Sequence, residues 1–286
     1  MITLAKLKDL RAAIRQQKQL RKRIAFVPTM GNLHAGHIEL VRRGLEAADY
    51  VVTSIFVNPL QFGANEDLDK YPRTLEADKA QLVNAGNHVL YTPTISEIYP
   101  RGSDHHTRVS VPDVTQGHCG KSRPGHFEGV ATVVNILFNQ VQPDIAFFGE
   151  KDYQQVAVIR KMVRDLCLPV QIESVPTVRD ANGLALSSRN GYLDVEQKQT
   201  AATLYRVLCD TAEAISGGEN DYGKLTDEAT RRLIAAGFVV DYFSIAHSET
   251  LAPASAGDQD ITLLAAAFLG NTRLIDNLSL TLQTSG

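Results

Sequence analysis

From residue 24 to about 175, short β-branched or aromatic runs alternate with stretches in which apolar residues return every three to four positions. The runs predict strands at 24–27, 50–57, 88–91, 145–148 and 170–175. Between them Ile38, Val41, Leu45 and Ala48 predict one helix, Phe127, Val130, Val134, Leu137 and Val141 a second, and Val156, Ile159, Val163 and Leu166 a third. Strands that alternate with helices predict an α/β fold, a doubly wound parallel sheet whose ligand crevice lies at the carboxyl ends of the strands. After residue 179 the pattern changes to helices over 195–215 and 225–236, then strands at 238–246, 261–268 and 273–280, which predicts a smaller α+β domain. The expected division is 1–176 and 177–286, with 216–220 and 252–258 as surface loops. Leu4, Leu7, Leu10 and Ile14 predict an amphipathic surface helix within 1–23.

The chemistry gathers at predicted strand ends. Residues 28–37, P-T-M-G-N-L-H-A-G-H, span the first strand-to-helix junction, where a helix start offers N–H groups and a positive dipole end, both suited to phosphate. Gly31 and Gly36 allow a ligand close to the backbone, and His34 and His37, three apart, share one face of the first turn. The glycine spacing is that of a P-loop, but His37 and Ile38 stand in place of its Lys and Ser/Thr, which excludes a P-loop NTPase. No G-x-G-x-x-G follows the first strand, which argues against NAD or FAD and favours a mononucleotide.

Two further segments carry matching groups. F-G-E-K-D-Y-Q-Q at 148–155 occupies another strand-to-helix turn, where Lys151 can set a point charge beside phosphates and Asp152 can cap the helix, hold Mg²⁺ or bind a ribose hydroxyl. L-S-S-R-N at 186–190 supplies two hydroxyls and a guanidinium fork where the second domain begins. Arg123 in R-P-G-H-F either meets an anion or caps a turn. His105, His106, His118 and His126 lack regular metal-ligand spacing and are read as loop histidines.

Composition narrows the partners. A net charge of −3 gives no reason to expect a cationic surface, so neither nucleic acid nor an anionic membrane is an expected bulk partner. Cys119, Cys167 and Cys209 are odd in number and far apart, which supports neither a disulfide framework nor a thiolate zinc site and favours reduced thiols. The most apolar stretch, 263–269, is far shorter than the roughly 18 residues of a membrane span, and the basic N-terminal segment has no signal-peptide core. A soluble, cytoplasmic protein is expected.

In order along the chain, P-T-M-G-N-L-H-A-G-H, F-V-N-P-L-Q-F-G, Y-P-R-T, R-P-G-H-F-E-G-V-A-T-V-V, F-G-E-K-D-Y-Q-Q and A-L-S-S-R-N-G-Y-L resemble the pantothenate synthetase (pantoate:beta-alanine ligase) family. H-A-G-H is similar to the H-I-G-H motif of the wider nucleotidyltransferase superfamily, and L-S-S-R stands where those enzymes carry a K-M-S-K-S loop. The resemblance implies a Rossmann-like domain followed by an α+β lid. It implies condensation of (R)-pantoate with beta-alanine to pantothenate, AMP and pyrophosphate through an enzyme-bound pantoyl adenylate, in pantothenate and coenzyme A biosynthesis. ATP is the co-substrate, Mg²⁺ is held mainly by its phosphates with protein ligands unassigned, and the assembly is a homodimer.

The same resemblance places ATP among Met30, Gly31, Asn32, Leu33, His34, Ala35, Gly36, His37, Gly149, Glu150, Lys151, Asp152, Val178, Leu186, Ser187, Ser188 and Arg189. It gives pantoate to Gln61 and Gln155, with Pro28, Met30 and Phe148 walling its dimethyl carbon. His34, His37, Lys151 and Arg189 are the catalytic candidates; His37 is usually assigned as a proton donor, and electrostatic stabilisation of the phosphates is the role favoured here. Ile136 and Leu186 depart from the lysine and methionine expected at their positions, and neither removes a reacting group. Three alternatives stand beside this reading: a nucleotidyltransferase with another acceptor, a synthetase-derived RNA-binding module, and a nucleotide sensor. The charge of −3 and the missing lysine-rich loop weigh against the RNA-binding one.

Overall fold

The computed structural model describes residues 1–63, 66 and 68–282. In chain order its elements are β1 (Ile2–Leu4), α1 (Leu7–Gln19), β2 (Ile24–Thr29), α2 (Ala35–Ala47), β3 (Tyr50–Ile55), α3 (Leu75–Asn84), β4 (Val89–Tyr91), α4 (Ile95–Ile98), α5 (His118–Ser122), α6 (His126–Val141), β5 (Ile145–Gly149), α7 (Tyr153–Asp165), β6 (Gln171–Val175), α8 (Val195–Ala201), α9 (Thr203–Ser216), α10 (Tyr222–Ala235), β7 (Val239–His247), β8 (Asp260–Leu269) and β9 (Thr272–Thr281). They form two compact units. The first comprises Met1–Val111, Arg123–Glu150 and Val158–Pro176; the second comprises Pro112–Ser122, Lys151–Ala157 and the chain from Thr177 onward. The sequence suggested a single cut after 176, whereas the units interleave.

The first unit carries a six-stranded parallel sheet in the order β1-β4-β3-β2-β5-β6. Its inner strands β2, β3, β4 and β5 are buried on both faces, as a parallel sheet covered on both sides requires, while the edge strands β1 and β6 are partly exposed. Along β2, Ala25 and Val27 join a core with Leu40 and Val41 of α2, while Phe26 meets Phe138 of α6 edge to face at 6.3 Å. The period of two along the strand thus sorts its side chains between two helical layers.

The second unit carries an antiparallel sheet, β7-β8-β9. Leu204, Val207 and Leu208 of α9 and Leu233 of α10 share its core with Ile261, Leu263 and Ala265 of β8. Together these are the Rossmann-like sheet and the smaller α+β unit expected from the alternation and its change near 179. Among the described residues no helix is long and apolar enough to cross a membrane.

The structure corrects several expected elements. The N-terminal helix begins only at Leu7: residues Ile2–Leu4 are a strand, with Ile2 in register with Val89 and Leu4 with Tyr91, because β-branched Ile2 and Thr3 fit the edge beside β4. The helix expected over 195–215 is two, α8 and α9, meeting at Ala202. Helix α3 was not foreseen: Leu75 and Val83 are exposed while Asp78 and Leu82 are buried, so no apolar stripe marks its inner face. His118 lies in α5, not in a loop, with its Nε2 3.0 Å from the Ser244 hydroxyl.

Just before β4, His88 accepts the Val51 N–H at Nδ1, 3.0 Å away. Burial, aided by the charges of Lys22 and the N-terminal amine, holds its pKa below the ordinary 6.5. The unfolded chain therefore takes up a proton near that value that folded His88 refuses, so stability is lost as pH falls below about 6.5. His118, lowered by burial, acts in the same direction. Urea denaturation at pH 7.5 and 5.5 is expected to show this loss, and His88→Gln should reduce it; an equal loss in the variant contradicts the assignment.

Candidate functional site

The strand order reverses between β2 and β5, the switch point at which doubly wound sheets bind ligands. These two strands pair only at Ala25 with Ile145 and Phe26 with Ala146, and β2 then runs on beside β3 alone. Its extension contains Pro28, beyond the strand expected at 24–27. The Thr29 carbonyl accepts from the Phe56 N–H at 3.0 Å, so Thr29 faces β3 and Pro28 faces the side where β5 has parted. Its missing N–H therefore breaks no ladder.

The loop that follows uses most of its own amides. Gly31 N–H donates to Thr29 Oγ1 at 3.3 Å, Asn32 N–H to Asp78 Oδ2 at 3.0 Å and Leu33 N–H to Asp78 Oδ1 at 2.8 Å. His34 N–H donates to His37 Nδ1 at 3.3 Å, Gly36 N–H to His34 Nδ1 at 3.1 Å and His37 N–H to the His34 carbonyl at 2.8 Å. The expectation of free N–H groups at this helix start is thereby corrected; Ala35 is the exception among residues 31–37. His34 and His37 instead form a reciprocal cap, rings 4.1 Å apart. Because each Nδ1 accepts a backbone N–H, the neutral rings carry their proton on Nε2, and Nε2–H is the donor each offers.

Gln61 is buried in the 3₁₀ turn Pro59–Gln61, which packs against α6. Asn58 Nδ2 donates to Gln61 Oε1 at 3.2 Å and to the Gly129 carbonyl at 3.1 Å, and the Tyr99 hydroxyl, kept protonated by burial, donates to Asn58 Oδ1 at 2.7 Å. This relay fixes Gln61 with its Nε2 toward Met30, whose Sδ it reaches at 2.8 Å. The Gln61 carbonyl accepts from His126 Nδ1 at 2.8 Å and Arg123 Nη2 at 3.3 Å, while Arg123 also forks onto Glu66 at 2.7 and 2.6 Å. Arg123 thus meets an anion, and the anion is a side chain of the protein itself. Phe148 is buried against Phe138, and Gly149 ends β5 beside Val175. Glu150 accepts from the Ser174 hydroxyl at 2.8 Å.

The second unit holds the other candidates. Lys151 is fixed through its carbonyl, which accepts from Asn277 Nδ2 at 2.9 Å, and its Nζ lies 3.5 Å from Asp152 Oδ1. Gln155 is half-buried on α7. Val178 and Leu186 face each other across a tight hairpin, Leu186 N–H donating to the Val178 carbonyl at 2.9 Å. Ser187 caps the 3₁₀ turn Ser188–Tyr192 by accepting Arg189 N–H at 3.2 Å. Arg179 anchors this hairpin: it bridges buried Asp276 at 2.6 and 2.9 Å, donates to the Gly183 carbonyl at 3.1 Å, and lies 3.4 Å over the Tyr205 ring.

Sequence reasoning missed Asp78, Asn58, Gly129, Arg179 and Asp276. Asn58 and Gly129 lie inside the motifs F-V-N-P-L-Q-F-G and R-P-G-H-F-E-G-V and were legible there. Asp78 and Asp276 act across 46 and 97 residues of sequence and leave no local signal.

A doubly wound parallel sheet with an imidazole-lined loop at its switch point defines a Rossmann-like α/β protein of the nucleotide-binding kind. A family model described as pantoate-beta-alanine ligase matches residues 2–279. The chain is 64% identical over 279 residues to a pantothenate synthetase of Hahella chejuensis, covering 98% of this chain and 99% of that protein. A crystal structure of pantothenate synthetase from Thermus thermophilus has 47% identity and a TM-score of 0.91, with 97% of this chain and 99% of that one covered. A pantoate-beta-alanine ligase from Francisella tularensis, complexed with beta-gamma ATP and beta-alanine, has 34% identity and a TM-score of 0.79 over 97% of each chain. The chain belongs to the pantoate-beta-alanine ligase family.

Gly129 leaves no room for a side chain. A Cβ there would lie 2.3 Å from the Leu60 oxygen and 2.8 Å from the Gln61 nitrogen, both backbone. Gly129→Ala is expected to cost about 1–3 kcal/mol in chemical denaturation by overpacking. Gly63→Ala, where the nearest atom is 3.7 Å away, serves as control; equal stability of the two variants contradicts the packing account.

Proposed function

We propose that the chain condenses pantoate with beta-alanine at the expense of ATP, through a pantoyl adenylate, giving pantothenate, AMP and pyrophosphate. The observation that carries this reading is the pair of imidazoles at the switch point, each held by a backbone N–H at Nδ1 and each therefore donating through Nε2–H. Membership of the ligase family and the Francisella complex support ATP and beta-alanine as ligands. In the first step a pantoate carboxylate oxygen attacks the α-phosphorus and pyrophosphate leaves. In the second the beta-alanine amine attacks the acyl carbon, loses a proton, and AMP departs.

Neither step needs a nucleophile from the protein, so its task is to position reactants and stabilise charge. His34 and His37 are assigned to the phosphate oxygens, and Lys151, Ser187, Ser188 and Arg189 supply further donors to the same nucleotide. Met30–Leu33, Ala35, Gly36, Gly149, Glu150, Asp152, Val178 and Leu186 make up the rest of its surroundings. Gln61, its amide fixed by Asn58, and Gln155 take pantoate, with Pro28, Met30 and Phe148 against its methyl groups. Among the described residues no group of three or more His, Cys, Asp or Glu side chains is placed to hold a metal ion. Mg²⁺ belongs to this reading by family resemblance, as the counter-ion of the ATP phosphates, with its protein ligands unassigned. A cytoplasmic homodimer completes the reading, by family resemblance.

An exchange assay tests it. Labelled pyrophosphate is expected to enter ATP only when pantoate is present, and AMP to accumulate only when beta-alanine is added as well. His37→Ala and Lys151→Ala should each slow exchange by about 10²–10³. Exchange that ignores pantoate, or that survives undiminished in both variants, overturns the assignment.

A further inference from the structure

We infer that Asp78, assisted by Gln81, is a positioning residue that sets the orientation of His34 and His37. The inference rests on the reading that this loop serves ATP. Asp78 is 1% exposed, and both its oxygens are occupied: Oδ2 accepts Asn32 N–H at 3.0 Å, and Oδ1 accepts Leu33 N–H at 2.8 Å and the Thr74 hydroxyl at 3.1 Å. One turn along α3, Gln81 Nε2 donates to the Leu33 carbonyl at 3.1 Å. Helix α3 therefore grips residue 33 by both its N–H and its carbonyl.

The backbone needs that grip. Gly31 has φ +85° and Asn32 φ +49°, two successive residues in the left-handed region, which Gly adopts freely and Asn more readily than most L residues but which an uninterrupted strand or helix never uses. The approach is close: a Cβ on Gly31 would lie 3.2 Å from Asp78 Oδ2 and 3.1 Å from Ile55 Cγ2. Residue 34 follows directly and begins the reciprocal cap in which the two Nδ1 atoms accept backbone N–H groups. Moving residues 32 and 33 moves the His34 amide and ring together, and with them the condition that keeps both protons on Nε2.

The carboxylate is specific to this task. It presents an acceptor to each of two N–H groups, whereas an asparagine of the same shape must turn its own NH₂ toward one of them, setting donor against donor. Asp78 makes no claim on substrate, so its effect should appear through the loop alone.

The test compares full-length wild type, Asp78→Asn and Gln81→Leu by pyrophosphate exchange and by ¹⁵N spectra of histidine-labelled protein above pH 7, with folded fraction measured by circular dichroism. Wild type should show His34 and His37 as Nε2–H tautomers. Asp78→Asn should give mixed tautomers and a kcat/KM for ATP about 100-fold lower, the scale of a small misplacement at a reacting centre. The KM for pantoate should stay within about twofold, because Gln61 is held by a separate relay. Gln81→Leu should move both readouts in the same direction by about tenfold in kcat/KM, the lesser effect of losing one neutral hydrogen bond, and keeps the test readable if Asp78→Asn folds poorly. Unchanged tautomers, or a loss shared equally by ATP and pantoate, overturns the inference. If wild type shows no pantoate-dependent exchange, the proposed function fails, and the imidazole spectra alone decide the role of Asp78.

Discussion

Beyond Phe26 and Ala146 the two central strands of the sheet are no longer paired. The placement of the first unit's loop after β2 starts from that parting. It leaves the β5-facing side of β2 unpaired there, tolerates Pro28 within a strand, and leaves the chain after β2 to find partners outside the ladder. Helix α3 supplies them from the next crossover, through Asp78 and Gln81. Gly129 allows the turn bearing Gln61 to press against α6, so the same unit positions two kinds of donor by two separate sets of contacts.

Under the proposed function, the consequence for recognition is a division of labour between backbone and side chain. In a P-loop the amides cradle the phosphates and a lysine reaches over them. Here the amides of Asn32 and Leu33 go to a buried carboxylate, and those of His34 and Gly36 go to imidazole nitrogens. The rings then donate through Nε2–H. A histidine so arranged can stabilise charge on a phosphate oxygen as a neutral donor, without having to carry or surrender a proton.

How much of this was legible in the sequence depends on the range over which each signal acts. Strands such as β2 and β3 and helices such as α2 and α6 bury apolar residues at a regular period, and the pattern alone located them. Helix α3 buries a carboxylate beside Leu82 and exposes Leu75 and Val83, so the rule that apolar residues mark the inner face fails there. His34, His37, Lys151 and Arg189 stood out because their types and spacing are local. Their supports did not: Asp78 meets the loop across 46 residues, and Asp276 holds Arg179 across 97. The reading of free amides failed twice over: Asn32 and Leu33 give theirs to a distant aspartate that nothing near residue 34 announces, while His34 and Gly36 give theirs to the adjacent imidazoles.

The central claim is that this loop offers imidazoles, not amides, to the nucleotide. Titrating ATP into ¹⁵N-labelled full-length protein tests it most directly. The largest shifts are predicted at the Nε2–H groups of His34 and His37, with the amides of Asn32 and Leu33 scarcely moved. A strong downfield shift of those two amides, signalling transfer of their hydrogen bonds from Asp78 to phosphate, would contradict the account.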